Sequence, residues 1–220
     1  MTPASRPGPI LVINPNSNEA VTAGLDAALE GFRRAGAPAI ECVTLREGPF
    51  GIESQAQGDL LIAPLLRLVE SRPDAGAIVI ACYSDPGLDS VRSITRAPAF
   101  GIQESGVLAA MARGDRFGVV AISGGSVGRH RRYMRRMGVL DRCAGDRPLD
   151  MTVDESARGE ATFGRLVEVG QALIGDGAEA LILGCAGLAR HRAPLEAELG
   201  VPVIDPTQAA VGAALLAVVV

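Results

Sequence analysis

Two short stretches of this chain follow one rule, and repeating that rule at such a distance leaves few folds open. In Ile78–Asp89 (IVIACYSDPGLD) an apolar run delivers Cys82 to the mouth of a helix opened by Ser84, Asp85 and Pro86. In Leu181–Leu188 (LILGCAGL) a second apolar strand runs into Cys185, followed by small residues and a helix. The flanks repeat as well. Asp74 lies eight residues before Cys82 and Asp176 nine before Cys185, while Pro98 and Pro202 follow by sixteen and seventeen. The pattern implies a duplicated half-domain that presents two thiols from equivalent strand ends.

Between these anchors the chain alternates apolar runs with helical periodicity. Strands are expected at Ile10–Ile13, Ile40–Leu45, ahead of Cys82, Pro98–Ile102, Phe117–Ile122, Leu149–Val153, ahead of Cys185, and Val201–Ile204. Continuous apolar runs such as Ile10–Ile13 fit strands buried on both faces of a parallel sheet. After Asn14-Pro15-Asn16-Ser17-Asn18, residues Val21, Leu25, Leu29 and Phe32 repeat at helical spacing up to Gly36, predicting a helix of about five turns. Ser54–Ser71 reads as a helix kinked or broken at Pro64. Further helices are expected from Pro86, over Gln103–Arg113, after Ser123-Gly124-Gly125-Ser126 to Met137, from Gly159 to Gly175, around Pro194, and over the apolar run Ala209–Val220, read as a buried helix.

These alternations predict an α/β protein of two pseudo-symmetric doubly wound domains. Each has a mainly parallel four-stranded sheet, with the site in the cleft between them. The expected division is 1–102 plus a returning 206–220 for the first half and 103–205 for the second. Ligands of open α/β sheets bind beyond the carboxyl ends of the strands. NPNSN, GPFGIES, CYSD, SGGS and GCAG all fall there.

All 21 basic residues are Arg and none is Lys, so no residue is present to hold a pyridoxal cofactor as a Schiff base. The net charge of −4 argues against broad nucleic-acid binding. Ala209–Val220 is too short to cross a bilayer, which takes about 20 residues. The scattered cysteines Cys42, Cys82, Cys143 and Cys185, with no apolar leader in MTPASRPGPI, suggest a reducing, cytoplasmic compartment. With two histidines and no clustered ligands, no metal site is expected.

A lone cysteine at the end of a strand is ordinarily a small buried hydrophobe. Two at duplicated positions, each at a helix start where the helix dipole favours a thiolate, point to chemistry. Cys42, inside a strand, and Cys143, in a polar loop, lack that setting. In Gly128–Arg136 the residues Val127, His130, Met134 and Met137 form the inward stripe. The five arginines from Arg129 to Arg136 then form a solvated or subunit-contacting face, and a homo-oligomer is expected. His130 reads as structural, and His191 is a possible but weak partner for Cys185. Asn14, Asn16, Ser17, Ser123, Gly124 and Ser126 are explained as caps and turns, and the same backbone N–H groups can also hold a carboxylate or an enolate oxygen.

Two acid–base groups on opposite sides of a cleft suit racemisation, in which one thiolate removes a proton and the opposite thiol returns another. INPNSN, CYSDPGLDSVR and LGCAGL, spread over nearly the whole chain, resemble the aspartate/glutamate/hydantoin racemase superfamily. That resemblance implies cofactor-independent racemases acting on a small molecule, with Cys82 and Cys185 as the catalytic pair. It also implies that Asn14, Asn16, Ser17, Ser84, Ala186 and Gly187 hold the substrate. Aspartate and glutamate racemases resemble one another in a Thr directly after the second cysteine, where this chain has Ala186. The GCAGL and CYSDPGL forms are more similar to the hydantoin and allantoin branch. Phe50, Ile52 and Tyr83 are candidates for an apolar wall facing a ring substituent. Amino-acid racemases, maleate isomerase-like or arylmalonate decarboxylase-like enzymes, and a binding protein with idle thiols on the same fold remain alternatives.

Overall fold

A computed structural model describes residues 8–152, 155 and 162–219. The first half contains β1 (Ile10–Asn14), α1 (Glu19–Ala28), β2 (Ile40–Thr44), α2 (Gln55–Leu60), α3 (Ile62–Glu70), β3 (Ala77–Ile80), α4 (Leu88–Ile94) and β4 (Ala99–Gly101). The chain continues through α5 (Ile102–Met111), β5 (Phe117–Ala121), α6 (Gly124–Met137), β6 (Cys143–Pro148) and α7 (Thr162–Gly175). It ends with β7 (Ala180–Gly184), a 3-10 turn (Ala186–His191), α8 (Arg192–Leu199), β8 (Val203–Ile204) and α9 (Pro206–Val219).

The strands form two parallel four-stranded sheets of identical order, β2-β1-β3-β4 and β6-β5-β7-β8. The duplication inferred from the cysteine repeats thus extends to the topology. In each sheet the two central strands are buried along their whole length. Their alternate residues serve different cores, as the two-residue period of a strand requires. Ile10, Val12, Ala77 and Val79 of the first sheet join Phe117, Val119, Ala180 and Ile182 of the second in one shared core. Ile102 and Val107 of α5 and Ala210, Val211 and Ala214 of α9 complete it. Leu11, Ile13, Ile78 and Ile80 face an outer core under α3 and α4. Val120, Leu181 and Leu183 face its counterpart under α7 and α8. The last helix, α9, packs on α5 and reaches back to β1, β3 and β4.

Several local expectations need correction. The helix after NPNSN is shorter than five turns: α1 ends at Ala28, and Leu29, at φ −96° and ψ 0°, leads into a 3-10 turn, Glu30–Phe32. The break attributed to Pro64 falls earlier, at Leu61. A proline ring collides with the carbonyl four residues back, so the helix must end before Pro64, which takes its place in the first turn of α3. Pro194 occupies the same third position in α8. The sixth strand is Cys143–Pro148 rather than Leu149–Val153, so Cys143 begins an edge strand and is not in a loop. Leu149 and Met151 only continue the pairing irregularly, donating to Ala121 O and Ile122 O. Val153, the expected helix start at 159–161 and Val220 lie outside the described residues. The terminal helix is buried on one face only, with Leu216 68% exposed. No helix among the described residues is long and apolar enough to cross a membrane.

Candidate active site

The first thiol is delivered by β3. Ala81 N–H continues the ladder to Ile13 O, and the chain then turns sharply on Cys82, whose carbonyl accepts from Ser84 N–H (2.9 Å) and Asp85 N–H (3.0 Å). Asp85 holds a positive φ of 47°. Its carboxylate accepts the N–H groups of Gln103 and Glu104, each at 2.8 Å, at the start of α5. Gly101 is required beside it, because a Cβ there would sit 2.1 Å from the Asp85 carboxyl carbon. The expected helix start at Cys82 is therefore absent. Pro86 and Gly87 complete a turn, Gly87 caps α4 at φ 72°, and α4 begins only at Leu88.

The second thiol does open a helical turn. Cys185 is the N-cap of the 3-10 turn Ala186–His191, and its Sγ accepts the Gly187 N–H at 3.4 Å. An N–H aimed at sulfur favours negative charge there. Cys82 has weaker local support, with Ser84 Oγ at 3.7 Å. By surface area Cys82 is only half-buried. Protein nevertheless packs round it so closely that burial pushes its thiol up to about 12, against the opposing pull of Ser84 and Arg129.

Both cysteines line one cavity of about 50 Å³ between the halves. A water occupies about 30 Å³ in the liquid, so the space as it stands admits one or two waters. Of the residues proposed from sequence to hold a ligand, Asn16, Ile52, Tyr83, Ser123, Ser126 and Ala186 join the cysteines in the lining. The others do not line it. Asn14 is fully buried and ties the turn together, its amide within reach of Asn16 Oδ1, Asn18 O and Thr22 Oγ1. Ser17 N–H donates to Pro49 O, and beyond it Phe50 is 60% exposed. Ser84 lies in the adjoining groove with Arg132 and Arg136. Gly124 is exposed at the start of α6, and Gly187 acts through its N–H.

Sequence reasoning missed Glu53, Arg129 and His130 in the lining. Arg129 is not on the solvated face assigned to the α6 arginines: it is half-buried and reaches the first half, donating to Glu53 O at 2.8 Å. His130 is structural, as expected, with Nδ1 3.1 Å from Asp146 Oδ2, yet it also borders the cavity. The spacing of Ser126, Arg129, His130 and Tyr133 along one helical face was the available signal. His191 packs by Phe163 and does not line the cavity. Among the described residues no group of His, Cys, Asp and Glu could hold a metal ion.

Two equivalent sheets that converge a cysteine each on one small cavity define a recognisable class. The model of the Asp/Glu/hydantoin racemase family matches residues 10–214, and the chain belongs to that family. Its relatives narrow the branch. It is 37% identical to a hydantoin racemase of Pseudomonas sp., over 92% of this chain and 82% of that protein. It is 35% identical to a hydantoin racemase of Paenarthrobacter aurescens, over 91% and 87%. The fold matches allantoin racemase from Klebsiella pneumoniae with a TM-score of 0.88 and 29% identity, over 94% of this chain and 86% of that one. The chain is thus a member of the hydantoin/allantoin racemase branch.

Proposed function

We propose that this protein inverts the C5 stereocentre of a small cyclic ureide, a 5-monosubstituted hydantoin or allantoin, with Cys82 and Cys185 as its two acid–base groups and no cofactor. The observation that carries this reading is the convergence of Cys82 and Cys185, from equivalent strand ends, on one cavity. Names of the relatives support the substrate class. Ala186, in the cavity lining directly after Cys185, offers no hydroxyl to an amino-acid carboxylate.

The thiols begin unequal. Burial keeps Cys82 protonated at neutral pH, whereas Cys185 receives an N–H at sulfur. Cys185 as thiolate takes the C5 proton, and the C–H electron pair spreads into the adjacent ring carbonyl. Cys82 then gives its proton to the opposite face of C5, leaving the electron pair of the broken S–H bond on sulfur. The opposite enantiomer reacts by the same steps in reverse, so no net proton is consumed. The C5–H of a hydantoin is already acidified by its carbonyl, which lowers the demand on the two thiols.

Chiral chromatography on L-5-benzylhydantoin, L-5-isobutylhydantoin, (S)-allantoin, L-aspartate and L-glutamate tests the substrate class. The assay is run with EDTA and without pyridoxal phosphate. Racemisation of a ring substrate at undiminished rate is expected. Faster turnover of either amino acid than of every ring substrate would overturn the assignment.

A further inference from the structure

The duplicated halves supply two thiols but only one local device for charging a sulfur. Cys185 has the Gly187 N–H at the head of its 3-10 turn. At Cys82 the corresponding helix is displaced to Leu88, beyond a five-residue turn that points no N–H at the sulfur among the contacts described. A racemase needs both sulfurs to carry charge in turn, so something else must serve Cys82.

Arg129 is the cation at this cavity. Its Nη atoms are spent on main-chain carbonyls, Glu53 O at 2.8 Å, Gly125 O at 3.3 Å and Ile52 O at 3.5 Å. Those bonds hold the group in position without a carboxylate hydrogen bond, and the Glu53 side chain acts on its charge only through space, more weakly than Cys82. Its Nε is buried with no partner. Arg136 on the same helix behaves otherwise, pairing with Asp89 at 2.8 Å. A half-buried guanidinium with no carboxylate bonded to it keeps charge available for an anion formed at the cavity.

We infer that Arg129 is a catalytic residue, the cation that holds the negative charge left on Cys82 Sγ when that thiol delivers its proton to C5. The S–H bond breaks, the new C–H bond forms, the electron pair stays on sulfur, and Arg129 keeps its own protons throughout. The inference rests on the two-thiol racemase reading. Burial lowers the Arg129 pKa, and of the charges acting on the group Cys82 comes first, ahead of Arg132 and Glu53. The other groups that bear on Cys82 are Ser84, Cys185 and Asp85, with Tyr83 and His130 beside it in the lining. Of all these, only Arg129 carries a permanent positive charge. The two thiols are therefore charged by different means, a turn N–H of its own half for Cys185 and a side chain borrowed across the cleft for Cys82.

The test reads thiol ionisation rather than turnover. Iodoacetamide alkylation of Cys82 and Cys185 is followed against pH by peptide mass spectrometry in the wild type, Arg129→Gln and Arg129→Lys. Glutamine can still donate to the Glu53 carbonyl but carries no charge, and lysine keeps the charge. In Arg129→Gln, alkylation of Cys82 at pH 8 should slow about tenfold or more, the effect of one unit in thiol pKa. Cys185 should change less than twofold, and racemisation should fall about a hundredfold or more. Arg129→Lys should retain most of the Cys82 reactivity. An unchanged Cys82 profile in Arg129→Gln, or equal slowing of both cysteines, overturns the proposal. If Arg129→Gln does not fold, Arg129→Lys decides: a profile displaced as for loss of the cation overturns it, and a retained profile supports it. Failure of the wild type to racemise any ring substrate, with the Cys82 shift present, would refute the functional reading and leave the Arg129–Cys82 pairing standing.

Discussion

Asp85 accepts the backbone N–H of Gln103 at 2.8 Å, which ties the turn carrying Cys82 to the first turn of α5. The same carboxylate takes the Glu104 N–H, also at 2.8 Å. Asp85→Ala would strand both donors in a buried setting, and the expected cost is about 2–4 kcal/mol. Racemisation should fall further than stability alone explains, because Cys82 loses the clamp on its turn. Urea unfolding and steady-state kinetics on the same preparation check both effects. A stable variant with normal activity would show that the clamp is dispensable.

The same residue predicts an unusual pH profile. Burial raises Asp85 from the ordinary carboxylate range to about 7, and Asp205 to about 6, against the opposing pull of the backbone N–H groups each accepts. Because these folded-state values lie above the unfolded ones, the folded protein retains protons that the unfolded chain has shed between about pH 4 and 7. Stability contributed by these groups is therefore present below that window and lost as pH rises through it, by at most about 1.4 kcal/mol per pH unit for each group. Asp74, Glu104 and Asp176 are held low by Arg partners and act below this window. Unfolding free energy measured from pH 4.5 to 7.5 should decline, and Asp85→Asn should flatten the part above pH 6. A profile that rises over this range contradicts the assignment.

His130 and Asp146 form a buried pair at 3.1 Å, and the imidazole meets the Tyr83 ring edge-on at 4.9 Å. His130→Ala leaves the buried Asp146 side chain without its partner, and the expected loss is about 2–4 kcal/mol. Asp146→Asn keeps a neutral acceptor for the ring and should cost less than half as much. Thermal melts of the two variants decide this, and equal melting temperatures would mean the His130–Asp146 contact has no special weight.

The central strands were legible because burial on both faces leaves a short continuous apolar run, whereas the longer apolar run at the end of the chain reads as a helix by its length. Edge strand β6 (CAGDRP) has no such signature, since it is half-exposed, and the apolar residues after it drew the expected strand downstream. The cysteine pair was legible from the repeat itself. The difference in support between the two thiols was not. Ser84-Asp85-Pro86 read as the opening of a helix, whereas a positive φ at Gly87 puts these residues in a turn that precedes it. Arg129 was hidden among the α6 arginines, because composition alone does not reveal which guanidinium faces the cleft. Phe50 was taken for a cavity wall on apolar character alone, yet its loop is held at Pro49 by Ser17 and leaves the ring in solvent.

The most direct test of the two-thiol account is hydrogen exchange in D2O with Cys82→Ser and Cys185→Ser, followed by proton NMR at C5 of each pure enantiomer of a ring substrate. Serine keeps the shape but is far too weak an acid to serve in either role. Each variant should lose racemisation by at least about a thousandfold, and each should still exchange the C5 proton of one enantiomer only, with opposite preferences. Racemisation near the wild-type rate in either variant, or exchange of both enantiomers by the same single-cysteine protein, would contradict the account.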